Sequence, residues 1–244
     1  MKNLLRLSAM ATILVASATY ASAATITIGS SGSSGPFTNG ALQFLGYNPT
    51  PGTGFPILTF NTIINGAPFA ATTSTTNIGT GGGVWGGPIS GSSWVSFANT
   101  APGSGNVAAN GSYVYMTTFD TTGCGVGCAG TMTILADDTV SVFLNGTNIS
   151  NEVGIAQPIG GDGHCSDGFP NCLGSGTIIG LTGLNVGANN LFFVVEQTGL
   201  LSEGVDFSAT AVGVSTITPE PSTLLMLGTG LIGGAGALFR RMRK

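Results

Sequence analysis

Apolar residues in this chain gather at its two ends and in short runs between them. Residues 7–19 form a mostly apolar stretch that includes Ile13, Leu14 and Val15, and residues 222–239 carry no charge over 18 positions. Between these blocks the apolar runs are four to eight residues long, β-branched or aromatic, and bounded by Gly, Asn and Pro. The runs at 57–64, 94–97, 112–119, 131–136, 139–144, 191–197 and 207–214 read as strands. Val140, Val142 and Leu144 alternate with Thr139, Ser141 and Phe143, the period of a strand with one face in a core. Asp137-Asp138 before that run and Asn145-Gly146 after it are turn signals. Residues 191–195 are apolar on both faces, which predicts a central strand. No internal stretch sustains a helical period, so the middle is predicted to be all-β, an antiparallel sandwich or jelly roll.

The terminal blocks read as addresses. Lys2 and Arg6 precede the first apolar stretch, and Ala21-Ser22-Ala23 follows it as a small-x-small site. That order predicts a secretory signal peptide over 1–23, removed by signal peptidase after Ala23. At the other end Pro219-Glu220-Pro221 precedes the uncharged stretch 222–239. As a helix it would be about 27 Å long, enough to cross the hydrocarbon core. Arg240, Arg241, Arg243 and Lys244 follow and would hold that end in the cytoplasm. The span also contains Gly230-x-x-x-Gly234, a weak helix-dimerisation pattern. Removing both ends leaves one domain at 24–218. Its first 70 residues are mostly Ser, Gly, Thr and Pro, and only 57–64 reads as a strand there.

Composition narrows what the domain can do. Charged residues are 7% and glycines number 41 in 244, against roughly 25% and 7% in an ordinary globular chain. All six basic residues lie in the terminal blocks, so none falls between Leu7 and Phe239. A domain without a cation cannot neutralise phosphates, which excludes nucleic acid as a partner. Nine acids (Asp120, Asp137, Asp138, Glu152, Asp162, Asp167, Glu196, Glu203, Asp206) lie in the domain and predict a surface that repels anionic polymers at low salt.

The tail resembles the PEP-CTERM sorting tail of Gram-negative bacteria: the Pro-Glu-Pro tripeptide, an apolar helix, then an Arg-rich terminus, with a signal peptide at the far end. In that family a membrane protease, exosortase, is thought to recognise the tripeptide and remove the helix. The resemblance makes Pro219, Glu220 and Pro221 the recognition residues, with cleavage close to them. Prolines on both sides of Glu220 keep that segment extended and out of the helix, as a protease requires. A plain single-span anchor that stays in place is the alternative.

The middle carries a second resemblance. Asp137-Asp138-Thr-Val-Ser-Val-Phe-Leu-Asn145-Gly146, then Gly187-Ala-Asn189-Asn190-Leu191, looks like the paired core strands of galactose-binding-like jelly rolls, with one extra residue in the second motif. Sugar-binding jelly rolls place aromatic platforms and a few polar groups in loops. Trp85, flanked by glycines, is the candidate ligand contact, whereas Trp94 starts an apolar strand and reads as core. Jelly rolls of this type often hold a structural calcium, and Asp162 and Asp167 in the turn-rich stretch 161–168 offer hard oxygen ligands for Ca²⁺.

The cysteines are Cys124, Cys128, Cys165 and Cys172. An exported protein meets an oxidising compartment, so two disulfides are expected. Of the three possible pairings, Cys124–Cys128 with Cys165–Cys172 closes two small Gly-rich loops and is the expectation. A tetrahedral zinc site drawing on these cysteines and His164 is the rival. For an enzyme there is neither a G-x-S-x-G elbow nor an H-E-x-x-H, and Asp137 and Asp138, as strand neighbours, point to opposite faces. No catalytic residue is assigned. The sequence therefore predicts an exported protein of the cell surface or extracellular matrix, an inner-membrane precursor before processing. The jelly roll makes exopolysaccharide binding the first functional expectation and self-association as a structural surface protein the alternative, with a polysaccharide hydrolase last.

Overall fold

The computed structural model describes residues 24–48, 74–79, 85–101, 103–124, 127–137, 139–150, 176–197 and 202–213, with helical residues at 228–230, 233–234, 237–238 and 240–241. The chain divides into two units, and Ala23–Val214 is the β unit. No helix among the described residues is long and apolar enough to cross a membrane. Most of the span expected at 222–239 lies outside them, as do residues 1–23 and the strand expected at 57–64.

The β unit is a two-sheet sandwich, as its pattern of short alternating runs requires. In chain order the strands are β1 (Thr25–Gly29), β2 (Ser31–Gly32), β3 (Ala41–Asn48), β4 (Thr76–Asn77), β5 (Val95–Ser96), β6 (Gly111–Asp120), β7 (Ala129–Asp137), β8 (Thr139–Leu144), β9 (Thr147–Asn148), β10 (Thr177–Leu181), β11 (Ala188–Gln197) and β12 (Gly204–Val212). One sheet runs β10-β7-β12-β5-β4, with β1 also paired to β12; the other runs β2-β3-β6-β11-β8-β9. Every pairing is antiparallel except the short parallel β2–β3 contact.

The inner faces of both sheets make one core. Met132, Ile134, Phe207 and Ala209 from the first sheet meet Tyr115, Val142, Leu191 and Phe193 from the second. At the centre the Phe193 and Phe207 rings stack across the sandwich at 4.6 Å. Fully burying one such side chain contributes about 1.5–3 kcal/mol. β11, apolar on both faces, sits between β6 and β8 in the middle of its sheet. Its outward residues Phe192 and Val194 are buried with Val114 and Phe143 in a second apolar cluster.

β8 has the bounds the alternation gave, and the Asn145-Gly146 signal is a two-residue hairpin turn into β9. Both turn residues have positive φ, 51° and 87°, the geometry that makes Asn-Gly the preferred pair there. β12 starts at Gly204, three residues before the run expected at 207–214, because Gly204, Val205 and Asp206 continue the ladder against Asp137, Ala136 and Leu135 of β7. Six strands escaped the pattern, and three of them (β2, β4 and β9) are only two residues long. β1 alternates Thr and Ile over only five residues, β10 is a five-residue edge, and β3 is interrupted by a register shift between Phe44 and Gly46.

Candidate functional site

Trp85 is a core residue, which corrects its assignment as an exposed ligand contact. It is 2% exposed. Its ring stacks on Trp94 at 4.4 Å, and both pack with Ile78, Ala101 and Leu135. The Trp85 Nε1–H donates to Asp137 Oδ2 at 2.8 Å, and the Trp94 Nε1–H donates to the Gly86 carbonyl at 3.0 Å. The flanking glycines suggested an open loop. Instead the segment folds back over Leu135, whose side chain lies on the outer face of β7, and needs its two largest rings as a lid. Trp94 is core as expected, at 1% exposed.

Three buried carboxylates fasten that segment down. Asp137, at the end of β7, takes the Trp85 indole. Asp206 Oδ2 accepts the Ile89 N–H at 2.7 Å, and its Oδ1 accepts the Ser92 hydroxyl at 2.5 Å and lies 2.9 Å from Ser30 Oγ. Burial pushes the Asp206 carboxyl above its ordinary value, against the pull of these donors. Glu203 accepts Tyr115 OH at 2.8 Å and Ser96 Oγ at 2.7 Å, while its carbonyl accepts the Thr100 hydroxyl at 2.6 Å. A fourth buried acid, Glu196, accepts Ser112 Oγ at 2.6 Å from the neighbouring strand. Asp206 and Glu203 sit at 0% exposure, as does Asp137. Of the nine acids expected to make an anion-repelling surface, these four are buried and Asp120 is exposed, while Asp138, Glu152, Asp162 and Asp167 lie outside the described residues. Sequence reasoning missed these roles, because a carboxylate partnered by hydroxyls and amides leaves no cation in the sequence as a signal.

The Gly187-x-Asn189 motif is also a fastener. Asn189, fully buried, donates from Nδ2 to Thr121 Oγ1 and to the carbonyls of Asn185 and Gly187. Its Oδ1 accepts Asn145 Nδ2–H and the Asn185 N–H. Next to it a single 3₁₀ turn, Thr122–Cys124, carries the disulfide Cys124–Cys128. This bond removes two ligands from the zinc alternative. It packs with Ala211, Ile26 and Leu184, and a Cβ on Gly213 would collide with the Cys124 carbonyl. The disulfide thus clamps the corner where β1 begins and β12 ends. In the chain-entropy model a five-residue loop contributes about 2 kcal/mol. The Cys124→Ser variant is expected to lose about that much in denaturant unfolding, with faster amide exchange confined to the β1–β12 corner.

Cys165, Cys172 and the calcium candidates Asp162 and Asp167 lie outside the described residues. Among the described residues no group of three or more His, Cys, Asp or Glu could hold a metal ion. Pro219, Glu220 and Pro221 lie outside them as well.

No curated protein sequence matches the chain. Among solved structures the chain is similar to a family 35 carbohydrate binding module from Clostridium thermocellum, at 13% identity over 51% of this chain and 82% of that one, with a TM-score of 0.28. That likeness is distant, and the sandwich rests on the strand pairings themselves. Residues 218–244 match the PEP-CTERM protein-sorting motif. The tail expected from the Pro-Glu-Pro, apolar and basic segments is therefore a sorting signal of that kind, and it marks an exported protein that exosortase sorts to the cell envelope and surface.

Proposed function

We propose that the mature protein is a self-associating structural component of the cell surface or extracellular matrix, with the sandwich as its building unit. On this reading the precursor passes through the inner membrane, loses residues 1–23 to signal peptidase and is cut by exosortase near Pro219–Pro221. The observation that supports it best is the near-absence of charge on the described surface: four acids are buried in internal hydrogen bonds and Asp120 alone is exposed. Like charges facing one another hold copies apart, and the described faces expose few of them, which lowers the repulsion where two copies meet through those faces. Sedimentation of the exported protein over rising concentration tests this. Association that changes little between low and high salt is expected, and a monomer at every concentration overturns it.

Exopolysaccharide binding is the second reading, moved from Trp85 to a sheet face. On the outer side of the first sheet Thr27, Thr210 and Thr131 stand in one row across β1, β12 and β7, with Ser208 and Thr133 in the next. These hydroxyls offer donors and acceptors to a neutral sugar chain without a charge to desolvate. Retention on the host's own polysaccharide, reduced in a Thr131→Ala/Thr210→Ala variant, is the expected result. Equal retention of both proteins counts against that face.

A further inference from the structure

We infer that two copies of this chain pair through the free edge of β10, antiparallel about a two-fold axis at Ile179. This inference rests on the structural reading above and specifies its contact. β10 is the terminal strand of the first sheet. It pairs with β7 on one side and with no other strand among the described residues. An open edge presents a row of backbone donors and acceptors whose natural complement is another strand. Soluble proteins usually guard such edges with Lys or Pro. This one reads Thr-Ile-Ile-Gly-Leu, without either.

The side chains select the register. On the outer face Ile178 is 71% exposed, the most exposed of the large apolar residues among those described. Two positions along, on the same face, a Cβ at Gly180 would meet nothing within 4 Å. Setting Ile179 opposite its own copy pairs all five residues and places each Ile178 over the open space at the partner's Gly180. The contact repeats by symmetry, as an isologous interface requires. Cross-strand neighbours on one face lie roughly 4.5–5.5 Å apart at Cβ, close enough for the isoleucine to cover the glycine. On the inner face the two Ile179 side chains meet beneath the ladder. Ile178 then leaves water, and the two first sheets become one continuous sheet.

The test uses the exported protein in two variants that each add one cysteine to the native four, Ile178→Cys and Gly180→Cys. Mixed under mild oxidation they are expected to form a disulfide-linked dimer on a non-reducing gel, while each alone forms none. Circular dichroism confirms that both keep the fold. Ile178→Lys is expected to weaken association at least roughly tenfold, because a charge then replaces buried apolar area. A cross-link in Ile178→Cys alone overturns this register. Association that survives Ile178→Lys with no cross-link in the mixture overturns the β10 contact while leaving self-association standing. A wild-type protein that stays monomeric removes both.

Discussion

Trp94→Ala is expected to lose about 3–5 kcal/mol of folding stability, the usual cost of deleting a large buried ring. Trp94 is 1% exposed, its ring stacks on Trp85 at 4.4 Å, and it is enclosed by Ile78, Ala101 and Leu135. The void cannot close easily, because the surrounding loop is held by hydrogen bonds from strands on either side. Trp85→Phe should cost less, about 1–3 kcal/mol, since it keeps most of the ring and removes the Nε1 donor from Asp137. Against a total stability of about 5–15 kcal/mol both changes will be plain in denaturant midpoints. Wild-type stability in either variant would mean that the two rings do not form a lid and that the sugar-platform role is open again.

Glu203→Ala is the second large effect, about 3 kcal/mol or more at neutral pH. It leaves the hydroxyls of Tyr115 and Ser96 buried without the carboxylate they now share. Tyr115→Phe should cost about half as much, since the Ser96 contact to Glu203 remains. The same group makes the fold sensitive to alkali. Burial first, and the nearby Glu203 charge second, push the Tyr115 phenol well above its ordinary 10.0, and Tyr113 is raised by the same two causes. The folded state therefore favours the protonated phenols. Their contribution is complete below pH 10 and is lost as pH rises through the higher folded values, because the unfolded chain ionises first. Tyrosinate absorbance should rise together with unfolding. Free titration of Tyr47, Tyr113 and Tyr115 alike in the native protein would contradict the burial of Tyr115.

The strand-level architecture was legible wherever a face pattern was long enough to be unambiguous. Thr139–Leu144 shows strict alternation and an Asn-Gly turn, and residues 191–195 show apolar side chains on both faces of a central strand. The sorting tail was legible because it is a linear signal, read by an enzyme before or apart from folding. What stayed hidden depends on pairings distant in sequence. Asp206 looked like a residue before a strand, but Ser30 and Ser92 reach it from 176 and 114 positions away. Trp85 looked loop-exposed, but its partner Asp137 is 52 residues on. Polar residues with neutral partners give no charge pattern, so local reading places them on the surface. Asn189 lay between: its motif was visible through resemblance, while its five hydrogen bonds were not.

One geometric detail concerns force. β1 and β12 run antiparallel with Thr25 opposite Val212, and the Gly213 N–H reaches back to the Ala24 carbonyl. The chain thus enters and leaves the sandwich at one corner, with residues 214–217 between Gly213 and the start of the sorting motif at 218. A pull between those two ends would peel β1 from β12 one rung at a time, like a zipper, with the Cys124–Cys128 clamp beside the first rung. A pull between that corner and the opposite end of the sandwich would load many rungs together and meet far greater resistance. Mechanical toughness in this protein is a matter of direction, and it is lowest along the line joining the points where the chain enters and leaves the sandwich.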